Sequence, residues 1–153
     1  LTSLEDLAKV CGEITIAAPT TFQERAYGLP GLKEKYGCEP AGFEAINDGG
    51  GEATLQALLT DKVQAADIYT TTPSIEENSL VVLEDPKNNF IAQQVLPLVN
   101  MDAVSSEAQD VLNSVSAMLT TEDLIALNQA VSGDQKQDPK DAAKAWLEEK
   151  GLA

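Results

Sequence analysis

The sequence predicts an α/β fold in which a parallel-type sheet is flanked by helices, followed by a group of C-terminal helices. Short apolar runs that are typical of buried strands occur at 13–19, 42–47 and 63–69. Segments with helical periodicity lie between them, and this alternation is the pattern of parallel sheets covered by helices. From Ser105 onward the helical patterns continue without further strand runs.

The helices of the first half are predicted from their capping residues and apolar faces. Ser3 can cap a helix that runs through Lys9, and Gly37 ends another that covers 32–36. A third helix is expected over 52–61, with its inward face formed by three leucines: Leu55, Leu58 and Leu59.

The second half is expected to begin with a strand at 80–83 and an extended segment at 91–99. Pro97 interrupts the extended segment, which favours an edge or crossover position over a central strand. Thr120 and Asp123 form a helix-start signal, and Pro139 suits the first turn of the last helix. We expect Trp146 on that helix to be a core residue, with Ala143 and Leu147 facing inward beside it.

The charge balance excludes nucleic acid as a partner. The chain of 153 residues has 10 Lys and Arg against 25 Asp and Glu, a formal net charge of −15. Such a field repels phosphate backbones and anionic lipid surfaces. No apolar run approaches the roughly 18 residues that a membrane span requires.

The residue types present argue against catalysis. There is no His in the chain, so Ser-His-Asp and Cys-His nucleophilic schemes are excluded within it. The commonest ligand of transition metals is missing as well. We therefore predict no cofactor, no metal site and no enzymatic activity.

Cys11 and Cys38 are the two cysteines, and each precedes a predicted strand by a few residues. If those strands are parallel neighbours, the thiols lie at the same edge of the sheet and can form a disulfide. The alternative is two buried thiols. The bridge is favoured, and it would indicate an oxidising compartment.

Three segments that follow predicted strands carry the polar side chains expected at a ligand site. In α/β folds ligands bind beyond the carboxyl ends of the strands. The candidate residues from these segments are Thr21, Phe22, Arg25, Asn47, Asp48, Tyr69, Thr70 and Thr71. Arg25 could pair with a carboxylate, and Tyr69 could stack on a cationic group. For each segment a purely structural role, such as a tight turn, a helix cap or a surface ion pair, stays open.

The order of motifs along the chain resembles the second lobe of glycine betaine/choline-binding proteins of osmoprotectant ABC importers. The motifs that carry this resemblance are Ser3-Leu4-Glu5-Asp6-Leu7, Phe22-Gln23-Glu24-Arg25, Gly28-Leu29, Gly31-Leu32, Tyr36-Gly37, Ala66-Asp67, Tyr69-Thr70-Thr71, Leu83-Glu84-Asp85-Pro86, Pro97-Leu98 and Leu119-Thr120-Thr121. The segments 70–75 and 93–98 resemble the actinobacterial members.

The resemblance implies one lobe of a type II periplasmic-binding-protein fold. Residues 1–90 would form the ligand-binding lobe, and 91–153 the crossover segment and C-terminal helices. It also implies that a first lobe precedes Leu1 in a longer, secreted or lipid-anchored precursor, so the missing signal peptide and initiator Met carry no weight. The helices from Ser105 onward would then leave apolar stripes that could support a homodimer of the isolated lobe.

The implied function is non-catalytic recognition of a compatible solute, such as glycine betaine, choline or proline, for delivery to an ABC permease outside the cytoplasm. Gln93 occupies a place where relatives carry a Tyr of an aromatic cage, so a more hydroxylated solute would suit this chain at least as well.

Two other classes of function stay open. An effector-sensing domain of a transcription regulator shares the fold, and it predicts reduced thiols and cytosolic residence. A catalytic lobe with Asp48 and Asp67 as paired carboxylates ranks last.

Overall fold

A computed structural model describes residues 1–133 and 135–152. The chain divides into two compact units, Leu1–Ile91 and Ala92–Ala153.

The first unit alternates helices with strands, as predicted. Its elements in chain order are α1 Leu4–Val10, β1 Thr15–Ala18, α2 Leu29–Gly31, β2 Gly42–Ala45, α3 Glu52–Leu59, β3 Ala65–Ala66 and α4 Ser74–Glu77. A π-helical turn, Leu32–Tyr36, extends α2, and 3-10 turns occupy Cys11–Glu13 and Thr20–Gln23. Ser3 is the N-cap of α1, as expected, because its side chain accepts a hydrogen bond from the amide of Asp6.

The three strands form a parallel sheet in the order β2-β1-β3. Ile16 of β1 pairs with Phe43 of β2 on one side and with Ala65 of β3 on the other. The predicted class, a parallel sheet with flanking helices, is confirmed. Because all three strands run in the same direction, the segments that follow them leave the sheet at the same end, beyond the carboxyl ends of the strands.

A hydrophobic core lies on each face of the sheet. On one face Ile16 and Ala18 pack with Phe22 and α1, and on the other Ala17 packs with α3. The first of these cores contains the Cys11–Cys38 disulfide, whose Cα atoms are 5.4 Å apart. The predicted bridge is therefore confirmed.

The strand predicted at 80–83 does not form. The backbone there is tied to the N-terminus by a single bridge between Ser3 and Glu84, and no strand of the described chain pairs with 80–83. Val81 and Val82 are 67% and 54% exposed, whereas Leu83 packs against the first core. An apolar run predicts burial, but only a pairing neighbour makes it a strand.

The inward face of α3 also differs from the prediction. Leu55 is buried, but Leu59 is 45% exposed. Thr54 and Ala57 are buried instead. The buried face of α3 is therefore formed by Thr54, Leu55 and Ala57. The spacing of the leucines alone did not predict this face.

The second unit contains α5 Ser106–Met118, α6 Thr121–Ser132 and α7 Pro139–Glu149. A capping box between Thr120 and Asp123 opens α6, as predicted. Lys150 lies 2.9 Å from Asp123 and so connects the end of α7 to the start of α6. Trp146 is buried, as expected, but Ala142 rather than Ala143 faces inward beside it.

Candidate functional site

The segments that follow the three strands pack together into one surface. Asn47, after β2, accepts a hydrogen bond from the amide of Thr20 at 2.9 Å, and its side-chain amide donates to the hydroxyl of Thr20 at 3.1 Å. Gly50 lies against the segment after β3, where an added Cβ would meet Cα of Ile68 at 2.9 Å. We call residues 19–25, 47–51 and 67–72 the strand-end surface.

Asp48, a predicted ligand residue, binds the first turn of α3. Its carboxylate accepts hydrogen bonds from the amide and the hydroxyl of Thr54, at 3.0 and 2.6 Å. Burial alone would raise the pKa of Asp48, but the bonds from Thr54 and from the amides of Gly51 and Ala53 outweigh it and lower that pKa. The carboxylate is thus used within the protein, as is the side chain of Asn47.

The segment after β1 brings an unpaired cation to the surface. The carbonyl of Thr21 accepts from the amides of Glu24 and Arg25, at 3.2 and 3.0 Å, and this turn exposes the side chains of Thr21 and Arg25. Within residues 1–133 and 135–152, the guanidinium of Arg25 forms no ion pair or hydrogen bond. The surface ion pair that was the structural alternative is therefore not present.

Phe22 is a core residue that supports two more exposed rings. It is 4% exposed, and the rings of Tyr27 and Phe90 lie 6.3 Å from it and 6.1 Å from each other. Asn89, which is buried, donates to the carbonyl of Tyr27 at 2.6 Å, and Asp85 accepts from the amide of Phe90 at 2.7 Å. Tyr27 and Phe90 were not predicted from the sequence, because residues so far apart along the chain give no local signal.

Tyr69 presents its ring to solvent. It is 60% exposed, and its carbonyl accepts from the amide of Thr72 at 2.9 Å, which turns the chain sharply. Thr70 is exposed, whereas Thr71 is half-buried and already has an interaction partner. The alternative that placed Tyr69 in the core is thereby excluded.

Asp67 is a partly buried charged group at the strand-end surface that lacks a partner. Its amide continues the sheet by donating to the carbonyl of Ala17 at 2.8 Å. Its carboxylate is half-buried and, in the described part of the chain, accepts no hydrogen bond and forms no ion pair. Burial raises the pKa of Asp67. A carboxylate pair with Asp48 is not formed, since Asp48 is bound to Thr54.

Gln93 belongs to the second unit, where its side chain is exposed. No group of three potential metal ligands occurs among the described residues. In the same residues, none of the helices has both the length and the apolar character needed to cross a membrane.

Comparison with known proteins places the chain in a family. Residues 1–149 match the family described as OpuAC, substrate binding domain of ABC-type glycine betaine transport system. The chain is also similar to the ergothioneine transport permease/ergothioneine binding protein EgtU of Helicobacter pylori (strain G27), with 27% identity over 152 residues. That similarity covers 98% of this chain and 27% of the relative.

Two solved structures share the fold. A glycine betaine/carnitine/choline ABC transporter structure aligns with a TM-score of 0.74 at 22% identity, covering 99% of this chain and 55% of the other. Apo YehZ from Escherichia coli aligns with a TM-score of 0.61 at 26% identity, covering 100% of this chain and 57% of the other. The chain thus spans little more than half of these structures and about a quarter of the curated relative. With its family match over almost the whole length, the chain belongs to the family of substrate-binding domains of ABC-type glycine betaine transport systems.

Proposed function

We propose that this chain supplies one recognition surface of an extracytoplasmic binding protein, and that the solute is a small betaine-type compound destined for an ABC permease. The observation that carries this proposal is the chemistry left over at the strand-end surface. The side chains of Asn47 and Asp48 are bonded within the protein, but the ring of Tyr69 and the guanidinium of Arg25 are exposed and unused.

These two groups match the two ends of a betaine. A quaternary ammonium is bound by the face of an aromatic ring, an interaction of roughly 0.5 to 2 kcal/mol depending on its desolvation. A carboxylate suits the planar guanidinium of Arg25, which can donate two parallel hydrogen bonds. Glycine betaine and ergothioneine both carry a trimethylammonium group and a carboxylate, so the names of the family and of the relative support this class of solute.

The other residues predicted as ligand contacts are proposed to have different roles. Thr21 and Thr70 have exposed hydroxyls at the same surface and are proposed as further polar contacts. Asn47 and Asp48 are proposed to act mainly by shaping the surface, since their side chains are bonded to Thr20 and Thr54.

Phe22 is proposed to contribute through the rings that it supports. Thr71 and Gln93 remain contacts predicted from the sequence.

The extracytoplasmic location is supported by the Cys11–Cys38 disulfide, since such bonds persist in oxidising compartments. The same bond disfavours the alternative of a cytosolic regulator domain, which requires reduced thiols. Self-association of the isolated chain also belongs to the proposal, because α5 exposes Val111 and Met118. Sedimentation equilibrium of the chain would test it, and a monomer at all concentrations would exclude it.

The test of function is an NMR titration of the 15N-labelled chain with glycine betaine, choline, proline, ergothioneine and a neutral polyol. One recognition surface alone should bind weakly, and chemical-shift changes detect weak binding residue by residue. We expect betaine-type solutes to shift the amide signals of Tyr69, Thr70 and Arg25.

Two variants make this test specific. Tyr69→Ala should abolish the shifts, whereas Tyr69→Phe should retain them because the ring face is kept. If no betaine-type solute produced shifts, or if they clustered away from the strand-end surface, the proposed function would be wrong.

A further inference from the structure

We propose that Asp67 is the counter-ion for the cationic group of the solute, and that it selects cationic and zwitterionic ammonium compounds over neutral ones. This inference rests on the proposed function and adds to it a specificity-determining residue.

The register of the sheet places Asp67 at a defined position. β3 ends at Ala66, which pairs with Ala17, and Asp67 follows directly, its amide bonded to the carbonyl of Ala17. Alternate residues of a strand face the same side of a sheet, so continuing the strand by one residue places Asp67 on the side of Ala65. Ala65 packs against the core that contains Phe22, so we place Asp67 on that side, where the strands end.

Other partly buried carboxylates of the first unit have partners, and Asp67 does not. Asp85 accepts from the amide of Phe90, Asp6 from Lys9 at 2.7 Å, and Glu44 from Lys62 at 2.7 Å. Half-burial removes water from the Asp67 carboxylate without supplying a donor in return, which costs stability. Residues that weaken the free protein in this way are typical of functional sites.

No cation in residues 1–133 and 135–152 neutralises Asp67. The described lysines and the single arginine lie outside ion-pair distance of its carboxylate, and burial is the one influence on its pKa. A bound cation would supply the compensating positive charge. Tyr69 follows two residues later with an exposed ring, and an ammonium group can be bound by an aromatic ring face as well as by a carboxylate.

The test compares Asp67→Asn with a matched control, Asp61→Asn. Asp61 precedes the opposite end of β3 and is exposed, and it accepts a hydrogen bond from the side chain of Gln64 that Asn can also accept. Both substitutions remove one negative charge from a chain of net charge −15. Effects of total charge on stability and on cation attraction are thus equal in the two variants.

Choline is the first probe, because it is a cation without a carboxylate and does not need Arg25. We expect Asp67→Asn to weaken choline binding about tenfold, as for loss of one charge partner near a protein surface, and Asp61→Asn to leave it unchanged. In the absence of solute, Asp67→Asn should melt about 2 °C above Asp61→Asn.

The possible failures can be distinguished. If wild type binds choline and Asp67→Asn binds it equally well, the counter-ion inference is overturned while the proposed function stands. If the melting temperature of Asp67→Asn is equal to or lower than that of Asp61→Asn, the Asp67 carboxylate has a stabilising partner and the inference is likewise overturned. If choline, glycine betaine and tetramethylammonium all fail to bind wild type, the proposed function is refuted and this inference with it.

Discussion

Removing the Cys11–Cys38 disulfide should destabilise the first unit by an amount that follows from its position. The bond joins residues 27 positions apart in the sequence. In the chain-entropy model a closed loop of that length restricts the unfolded state by about 12 cal/mol/K, or about 3.5 kcal/mol at 25 °C. The two cysteines are 2% and 1% exposed, so the double variant Cys11→Ala/Cys38→Ala also loses buried sulfur contacts, and the loss should be no smaller than this.

Urea unfolding of the oxidised wild type and the double variant would measure the difference. Far-UV circular dichroism reports the whole chain, whereas the fluorescence of the single tryptophan, Trp146, reports the second unit. Thiol titration of the unfolded, unreduced wild type should find no free thiol. A difference in the free energy of unfolding below about 1 kcal/mol, with the disulfide of the wild type shown to be intact, would refute the entropic reasoning.

Three further perturbations have expected outcomes. Gly50→Ala should lower stability by roughly 1–2 kcal/mol in urea unfolding, because Gly50 has φ of +77° and lies against the segment after β3; an unchanged midpoint would show that this segment moves freely. Hydrogen bonds from Lys150 and from the backbone lower the pKa of Asp123, so stability of the α6–α7 pair is present above the ordinary Asp pKa and is lost as pH falls below it. Tryptophan fluorescence during acid titration should show this loss, and Asp123→Ala should remove the pH dependence. Since burial raises the pKa of Asp67, the stability gain of Asp67→Asn should be present at neutral pH and vanish below the ordinary Asp pKa; a gain that persisted in acid would exclude charge as its cause.

The sheet could be predicted from the sequence because each strand is bounded by strong local signals. The run from Ile14 to Ala18 is apolar on both faces and ends at Pro19, and the structure places β1 at the centre with a core on each side. The segment 80–83 is equally apolar, but its burial depends on whether a neighbouring strand exists. That information is not local, and the prediction of a strand there was wrong.

The candidate site could be predicted in position but not in detail. The polar segments after the strands do meet, as the parallel order requires. However, the sequence cannot show which side chains bind each other. Asn47 and Asp48, which precede three glycines, were predicted as ligand contacts. In the structure their side chains are hydrogen-bonded to Thr20 and Thr54. Tyr27 and Phe90 were missed, since only the folded chain brings them to Phe22.

The internal pairing of polar groups separates the residues that build the strand-end surface from those that can serve a solute. A substitution at Asn47 or Asp48 removes hydrogen bonds that hold neighbouring segments, so it should reduce stability first and binding only as a consequence. Arg25, Asp67 and Tyr69 hold no described segment in place through their side chains, so their substitution should change binding with little loss of stability. Because residues of both classes directly follow strands of the same sheet, position in the sequence does not distinguish them. Whether a side chain is already hydrogen-bonded within the protein does distinguish them. Ligand contacts are therefore the residues whose substitution causes a large loss of solute binding and a small loss of stability.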